Sequence, residues 1–382
     1  MPHLIPYGHQ SIEEEDIRAV DEVLKSDWLT TGPKVPEFEG SICEKCGCTY
    51  AVAVNSGTSA LDIAIQSLGL PEGTEVITTP FTFAATSNAL LYNRLIPVYA
   101  DISRDTRNID PEDIRKKITG KTGAILFVDF AGHPCIISEI REICNEYDLF
   151  MVEDACHALG AKYQGKKIGA LADMTVFSFH PVKLITTGEG GMVTTDDPHR
   201  AETLRLLRSH GIDKTAHHLS ETGAPWAYDM VTLGRNYRMS DIQAALGISQ
   251  AKKIDTFIQK RTRLSRLYNE LLQGIPRLEL PVTREDVTHA WHLYTILLKG
   301  IGRDAVFSYL KAHGIGANLH YIPTYRFSYY RQNLPQDPSR YPVTEDVFRN
   351  ILSLPLYPDL KDEEVMFVTE TVKRALREVR GT

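Results

Sequence analysis

Short apolar runs alternate with amphipathic stretches along most of this chain. Runs near 50–54, 75–78, 96–99, 123–129, 149–153, 174–179 and 191–194 read as buried strands, and the stretches between them keep helical spacing. The alternation predicts an α/β domain built on a mostly parallel, seven-stranded sheet. Ser11-Ile-Glu-Glu14 reads as a capping box that opens a helix with Ile17, Val20, Val23 and Leu24 in helical register. A second helix runs from Val35 to about Cys46. Asp197-Pro198 starts another, which Gly211 ends.

The polar segment Ile212 to Arg235 reads as a long loop. A long helix from about Ser240 to Leu272 then leads into a second alternation: a strand from Trp291 to Leu298, a helix from Arg303 to His313, a Tyr- and Pro-rich loop and a terminal helix. A chain of 382 residues exceeds what one core usually fills. Two domains are expected, a large one over 1–250 with an N-terminal helical segment and a smaller α/β one over 251–382.

Charge and composition narrow the partners. The net charge is −7 with no basic block, which argues against nucleic acid. No apolar run reaches membrane-spanning length and no signal pattern opens the chain, so a cytoplasmic protein away from membranes is expected. The cluster Cys43-x-x-Cys46-x-Cys48 raises a metal site, but no second ligand pair accompanies it. Reduced thiols and no metal are the expectation.

The chemistry gathers at three strand ends. Lys183 follows the apolar strand 174–179 through Ser178-Phe-His-Pro and precedes a glycine-rich stretch. A lysine just past a buried strand can be partly desolvated, which lowers its pKa and suits it to form a Schiff base. Asp154 closes the apolar run Leu149 to Val152, and ligands of open α/β sheets collect at such carboxyl ends. Strand alternation sends Glu153 the other way. Pyridoxal phosphate requires this pair, a lysine for its aldehyde and a carboxylate that keeps its ring nitrogen protonated. Taken alone, Asp154 serves equally well as a helix cap. Asn55-Ser-Gly-Thr-Ser59 joins a strand to a helix carrying Ala60, Leu61, Ala64, Ile65 and Leu68 on one face. That turn makes an anion cup from Ser56, Gly57, Thr58 and the helix amides.

The ordered set Trp28-Leu-Thr-Thr-Gly-Pro, Asn55-Ser-Gly-Thr, Pro80-Phe-Thr-Phe, Glu153-Asp-Ala, Ser178-Phe-His-Pro-Val-Lys, Gly188-Glu-Gly-Gly, Asn236-Tyr-Arg and His320-Tyr-Ile-Pro resembles the DegT/StrS-type nucleotide-sugar aminotransferases. The resemblance covers nearly the whole chain. It implies the fold-type I PLP-dependent transferase architecture (aspartate-aminotransferase-like), a homodimer with shared active sites, and amino transfer to a keto sugar carried on a nucleotide. Carried over, it makes Lys183 and Asp154 catalytic. It also places Ser56, Gly57, Thr58, Phe83, His157, Ser178 and Asn236 around the cofactor, with Asn236 donated across the dimer. Thr30, His320, Tyr321 and Tyr325 fall on the substrate side; many relatives carry His where Tyr325 stands.

His-Pro-Val-Lys-x-Ile-Thr-Thr-Gly-Glu-Gly-Gly is similar to members that aminate C4 of a UDP-linked 4-keto-6-deoxy sugar with L-glutamate as donor and 2-oxoglutarate as product. Ile5-Pro-Tyr-Gly-x-Gln most resembles the members of pseudaminic acid biosynthesis. Alternatives are a C3-specific or dTDP- or GDP-linked sugar aminotransferase, an aminocyclitol aminotransferase, and a non-catalytic regulator on the same fold.

Overall fold

The computed structural model describes residues 4–215, 224 and 226–379. Its centre is a seven-stranded sheet in the order Tyr50–Val54, Gly191–Thr195, Met174–Ser178, Phe150–Asp154, Thr122–Val128, Glu75–Thr78, Ile96–Tyr99. The strand Gly191–Thr195 runs antiparallel to both its neighbours, and the other pairings are parallel. The reversal follows from the connection. The parallel strands are joined through longer crossovers, mostly helical, whereas the twelve residues Phe179 to Gly190 form turns with no helix and bring the chain back antiparallel.

The carboxyl ends of the parallel strands therefore share one rim, with Asp154 and Ser178 at two of them and Asn55 just past a third. The helix Gly57–Gln66 lies against this sheet and buries Asp62 and Ile63 as well as the expected apolar face. Asp62 is satisfied there by Asn93 Nδ2 at 2.9 Å and by the Tyr237 hydroxyl at 2.9 Å.

The first helix differs from expectation. It spans Glu14–Leu24, and its capping box is made by Glu13 and Asp16. Ser11 lies ahead of it, and the Ser11 carbonyl accepts from Gln250 Nε2 at 2.9 Å. The buried Asp16 is held by Gln250 and Lys253, so the helix docks through its acidic side. Ile17 and Leu24 consequently face outward, 55% and 56% exposed.

The long helix Asp241–Leu272 begins at the capping box of Ser240 and Gln243. Phe257 and Ile258 pack in the core of the large sheet, whereas Leu264, Tyr268 and Leu272 pack with Tyr294, Ile296, Val306, Leu352 and Val368 in a second core. The core changes between Ile258 and Leu264, a little beyond the expected division at 250.

The second unit carries a three-stranded antiparallel sheet of Leu278–Glu279, Tyr294–Leu298 and Ile351–Leu354. Its central strand starts later than expected because Trp291 sits at φ 54°, a left-handed turn that ends extended backbone. Arg261, fully buried, donates to the carbonyls of Trp291, His292 and Leu356 and ties this corner to the long helix. In the long loop, Ile212–Asp213 pairs antiparallel with Asp229–Met230; 216–223 and 225 lie outside the described residues. Among the described residues no helix is long and apolar enough to cross a membrane.

Candidate active site

A cavity of about 540 Å³ opens at the rim where the parallel strands end. Ser56, Gly57, Thr58, Phe83, Asp154, His157, Ser178, Lys183, His320 and Tyr321 all line it. The three motifs read separately in the sequence thus converge on one space.

Lys183 is set just beyond the turn His180 to Val182, where its backbone N–H donates to the His180 carbonyl at 2.8 Å. Burial lowers its amine from the usual lysine value, and nearby Cys156 and Asp154 oppose that shift. A neutral amine is therefore more accessible at Nζ than on a solvated lysine.

Asp154 is 4% exposed and its carboxylate is fixed at both oxygens. The Thr86 hydroxyl donates to Oδ2 at 2.8 Å and the Cys156 backbone N–H to Oδ1 at 3.2 Å. Glu153 turns to the opposite face, where Thr175 Oγ1 donates to it at 2.7 Å. It neighbours Asp129, and burial raises both acids, Asp129 to about 7.

The anion cup is built by close approach. Ser56 caps the helix, its Oγ accepting from the Ser59 N–H at 3.0 Å, while the Ser59 hydroxyl turns to Asn55 Oδ1 at 2.6 Å. A Cβ on Gly57 would stand 2.8 Å from Ser178 Cβ, and one on Gly191 would stand 2.3 Å from the Ser56 carbonyl oxygen. Without side chains at these two positions, the strand end, Ser178 and the first helix amides share one concavity. Hydroxyls, helix amides and a helix N-terminus form a donor set that fits a phosphate ester. Lys183 and Asp154 stand on the same cavity for an aldehyde and a ring nitrogen. The residues present fit pyridoxal phosphate.

The second unit and the N-terminus close the cavity. Ile5 pairs with Gly314 and Gly316 at 2.9 and 2.7 Å, and this brings Tyr7 to the wall. His320 is buried, bonded through Nδ1 to Ser353 Oγ at 2.8 Å, and burial pulls it down to about 3. Its ring lies 5.3 Å from that of Tyr7. Phe83, 61% exposed, stands 6.2 Å from the Tyr321 ring. Tyr7, from the Ile5-Pro-Tyr-Gly stretch, also lines the cavity, as do Thr86, His292 and Asn318, which were not singled out from the sequence. Pro80-Phe-Thr-Phe stands one turn before Thr86 and was the available signal for it; nothing local marks His292.

Three expected residues stand elsewhere. Tyr325 is 2% exposed, donates to Glu345 Oε1 at 2.8 Å and stacks on Tyr341 at 5.1 Å, and it does not line this cavity. Thr30 and Asn236 are exposed, paired by backbone to Ser240 and Ser209, and do not reach the cavity of their own chain. Cys43, Cys46 and Cys48 are free thiols, and among the described residues no group of three potential ligands is placed to hold a metal ion.

Fold and site bring a buried lysine, a fixed carboxylate and an anion cup to one cavity at the strand ends, the donor set of a cofactor-dependent transferase. The chain belongs to the DegT/DnrJ/EryC1/StrS aminotransferase family, whose model matches residues 10–373. It is 38% identical to the UDP-4-amino-4,6-dideoxy-N-acetyl-beta-L-altrosamine transaminase of Campylobacter jejuni over 99% of both chains. It is also 38% identical to the spore coat polysaccharide biosynthesis protein SpsC of Bacillus subtilis over 97% of both. Among solved structures it resembles Helicobacter pylori PseC, an aminotransferase involved in the biosynthesis of pseudoaminic acid, with TM-score 0.92 and 34% identity over 98% of this chain and 99% of that one. The putative sugar aminotransferase Spr1654 of Streptococcus pneumoniae in its PMP form matches with TM-score 0.93 and 31% identity over 98% of this chain and 100% of that one.

Proposed function

We propose that this sugar aminotransferase moves an amino group from L-glutamate to C4 of a UDP-linked 4-keto-6-deoxy-N-acetylamino sugar, in pseudaminic acid or related surface-glycan biosynthesis. The single observation that carries the reading is the convergence of Lys183, Asp154 and the Ser56–Thr58 cup on one cavity. The C4 and UDP assignments rest on the Gly188-Glu-Gly-Gly stretch and on likeness to the altrosamine transaminase.

When bound, pyridoxal phosphate supplies an aldehyde and an electron-withdrawing ring. Lys183 Nζ holds the cofactor and then moves protons as general acid and base, for which a lowered amine pKa is suited. Asp154, oriented by Thr86 and Cys156, holds a proton on the ring nitrogen. Ser56, Gly57, Thr58 and Ser178 would hold the cofactor's phosphate, and Phe83 would meet its ring. Tyr321 and His320 meet the sugar from the second unit.

Thr30 and Asn236 complete the site of a second copy in a homodimer. Trp28 and Leu29 beside Thr30, and Tyr228, Met230 and Leu233 near Asn236, are large apolar side chains left 48–67% exposed, a surface that such a copy would cover. The test is a panel of UDP-, dTDP- and GDP-linked 4-keto and 3-keto sugars with L-glutamate, followed by 2-oxoglutarate release. Turnover confined to UDP-linked 4-keto sugars is expected; turnover only with a 3-keto sugar or a cyclitol would overturn the assignment.

A further inference from the structure

The ring of His157 is wired at both nitrogens. The Ala131 backbone N–H donates to His157 Nδ1 at 3.3 Å, and Nε2 stands 3.0 Å from the Tyr321 hydroxyl. A backbone amide can only donate, so Nδ1 must accept, and a neutral ring then carries its proton on Nε2. The groups facing the ring are His292, tilted at 4.3 Å, Tyr321, stacked at 6.0 Å, Phe130, edge-on at 6.4 Å, Lys183 and His320, with no carboxylate among them. Burial first, then the proximity of Lys183 and of a second imidazole at His320, hold the imidazole well below its ordinary value, so it stays neutral. Its Nε2–H therefore donates to the Tyr321 oxygen. One hydroxyl oxygen that accepts from His157 has its own proton left to give. Tyr321 lines the cavity with Lys183, and burial raises its phenol far above neutrality, so that proton stays on the oxygen.

We infer that His157 is a positioning residue that fixes the direction of the Tyr321 hydroxyl, making Tyr321 a hydrogen-bond donor to an electron-rich oxygen of the bound cofactor or keto sugar. This rests on the aminotransferase reading. The direction of donation is set by the main chain at Ala131, through His157, and ends in the cavity. A glutamine at 157 could reproduce it, accepting from Ala131 with its oxygen and donating to Tyr321 with its nitrogen. A leucine could not.

Long-range ¹H–¹⁵N spectra of the cofactor-free protein, with histidine selectively labelled, report the tautomer without any turnover. The neutral Nε2–H form of His157 is expected from pH 6 to 9; an Nδ1–H form or an imidazolium would overturn the inference. Kinetics supply the second readout. Tyr321→Phe and His157→Leu should lower kcat by about 100-fold, the scale of losing one oriented donor, with KM for the sugar little changed. His157→Gln should restore most of kcat. Equal damage from Gln and Leu, with both proteins folded, would overturn it.

Absorbance of the Tyr321→Phe holoenzyme, titrated without sugar, separates the two acceptors. A shifted titration assigns the donor to the cofactor's phenolic oxygen; an unchanged one with loss confined to the sugar half-reaction assigns it to the sugar carbonyl. No change in either overturns the role. If the wild-type protein aminates no nucleotide sugar, the function fails while the tautomer result still stands.

Discussion

The Thr86 hydroxyl donates to Asp154 Oδ2 at 2.8 Å, and it also stands 2.9 Å from Thr82 Oγ1. A helix residue thus sets the angle of the carboxylate that would face the cofactor ring nitrogen. Thr86→Val keeps the shape and removes the bond. A buried hydrogen bond to a charged group contributes about 1.5–3 kcal/mol, so cofactor affinity should fall by roughly 10-fold or more. Equilibrium dialysis against pyridoxal phosphate measures this, and an unchanged Kd would remove Thr86 from the account.

Gly191 tests the cup from the other side. A methyl there would meet the Ser56 carbonyl oxygen at 2.3 Å and the Gly57 nitrogen at 2.8 Å, both backbone atoms with little room to shift. Gly191→Ala should cost about 1–3 kcal/mol of stability by overpacking. It should also weaken phosphate binding more than Gly190→Ala, whose nearest neighbours are the side chains of Thr187 and Met239. Thermal melting with and without inorganic phosphate separates the two effects.

The buried pair of Asp129 and Glu153 makes stability depend on pH. Burial raises Asp129 to about 7, above an unfolded value of about 4. Between these values the native state keeps a proton that the unfolded chain has lost, so the contribution of Asp129 to stability is full below about pH 4 and is lost as pH rises through 7. Asp129→Asn removes this titration. Melting both cofactor-free proteins at pH 5 and pH 8 should show the difference in Tm shifting toward the variant at pH 8. An identical offset at the two values would contradict the raised Asp129 carboxyl.

The strand spans and the long capped helix were legible because each is written locally, as apolar runs between breakers and as Ser240 three residues ahead of Gln243. Lys183, Asp154 and the Ser56–Thr58 turn were legible for the same reason, since strand ends announce the rim. Thr86 and His292 were not, nor was the place of Tyr7. Their place depends on how a helix, the N-terminal segment and the second unit fold over that rim, and Trp291 and His292 hang on a buried Arg261 far along the chain. Tyr325 sat beside the right motif, but its hydroxyl is taken by Glu345. The outward turn of Ile17 and Leu24 was hidden because the acidic face, through Asp16, is the one that docks.

The proposed homodimer predicts a defined loss. Leu29 is 48% exposed, next to Thr30. Leu29→Asp should shift sedimentation from dimer to monomer at micromolar protein and lower activity in parallel. A variant that stays active as a monomer would detach Thr30 and Asn236 from the site.

The central claim is amino transfer to C4, and labelled nitrogen reads it directly. The holoenzyme is incubated with ¹⁵N-L-glutamate and a UDP-linked 4-keto-6-deoxy-N-acetylamino sugar, and the product is examined by ¹⁵N-correlated NMR. The account predicts ¹⁵N bonded to C4 of the sugar. Label at C3, or a sugar recovered without ¹⁵N, would contradict it.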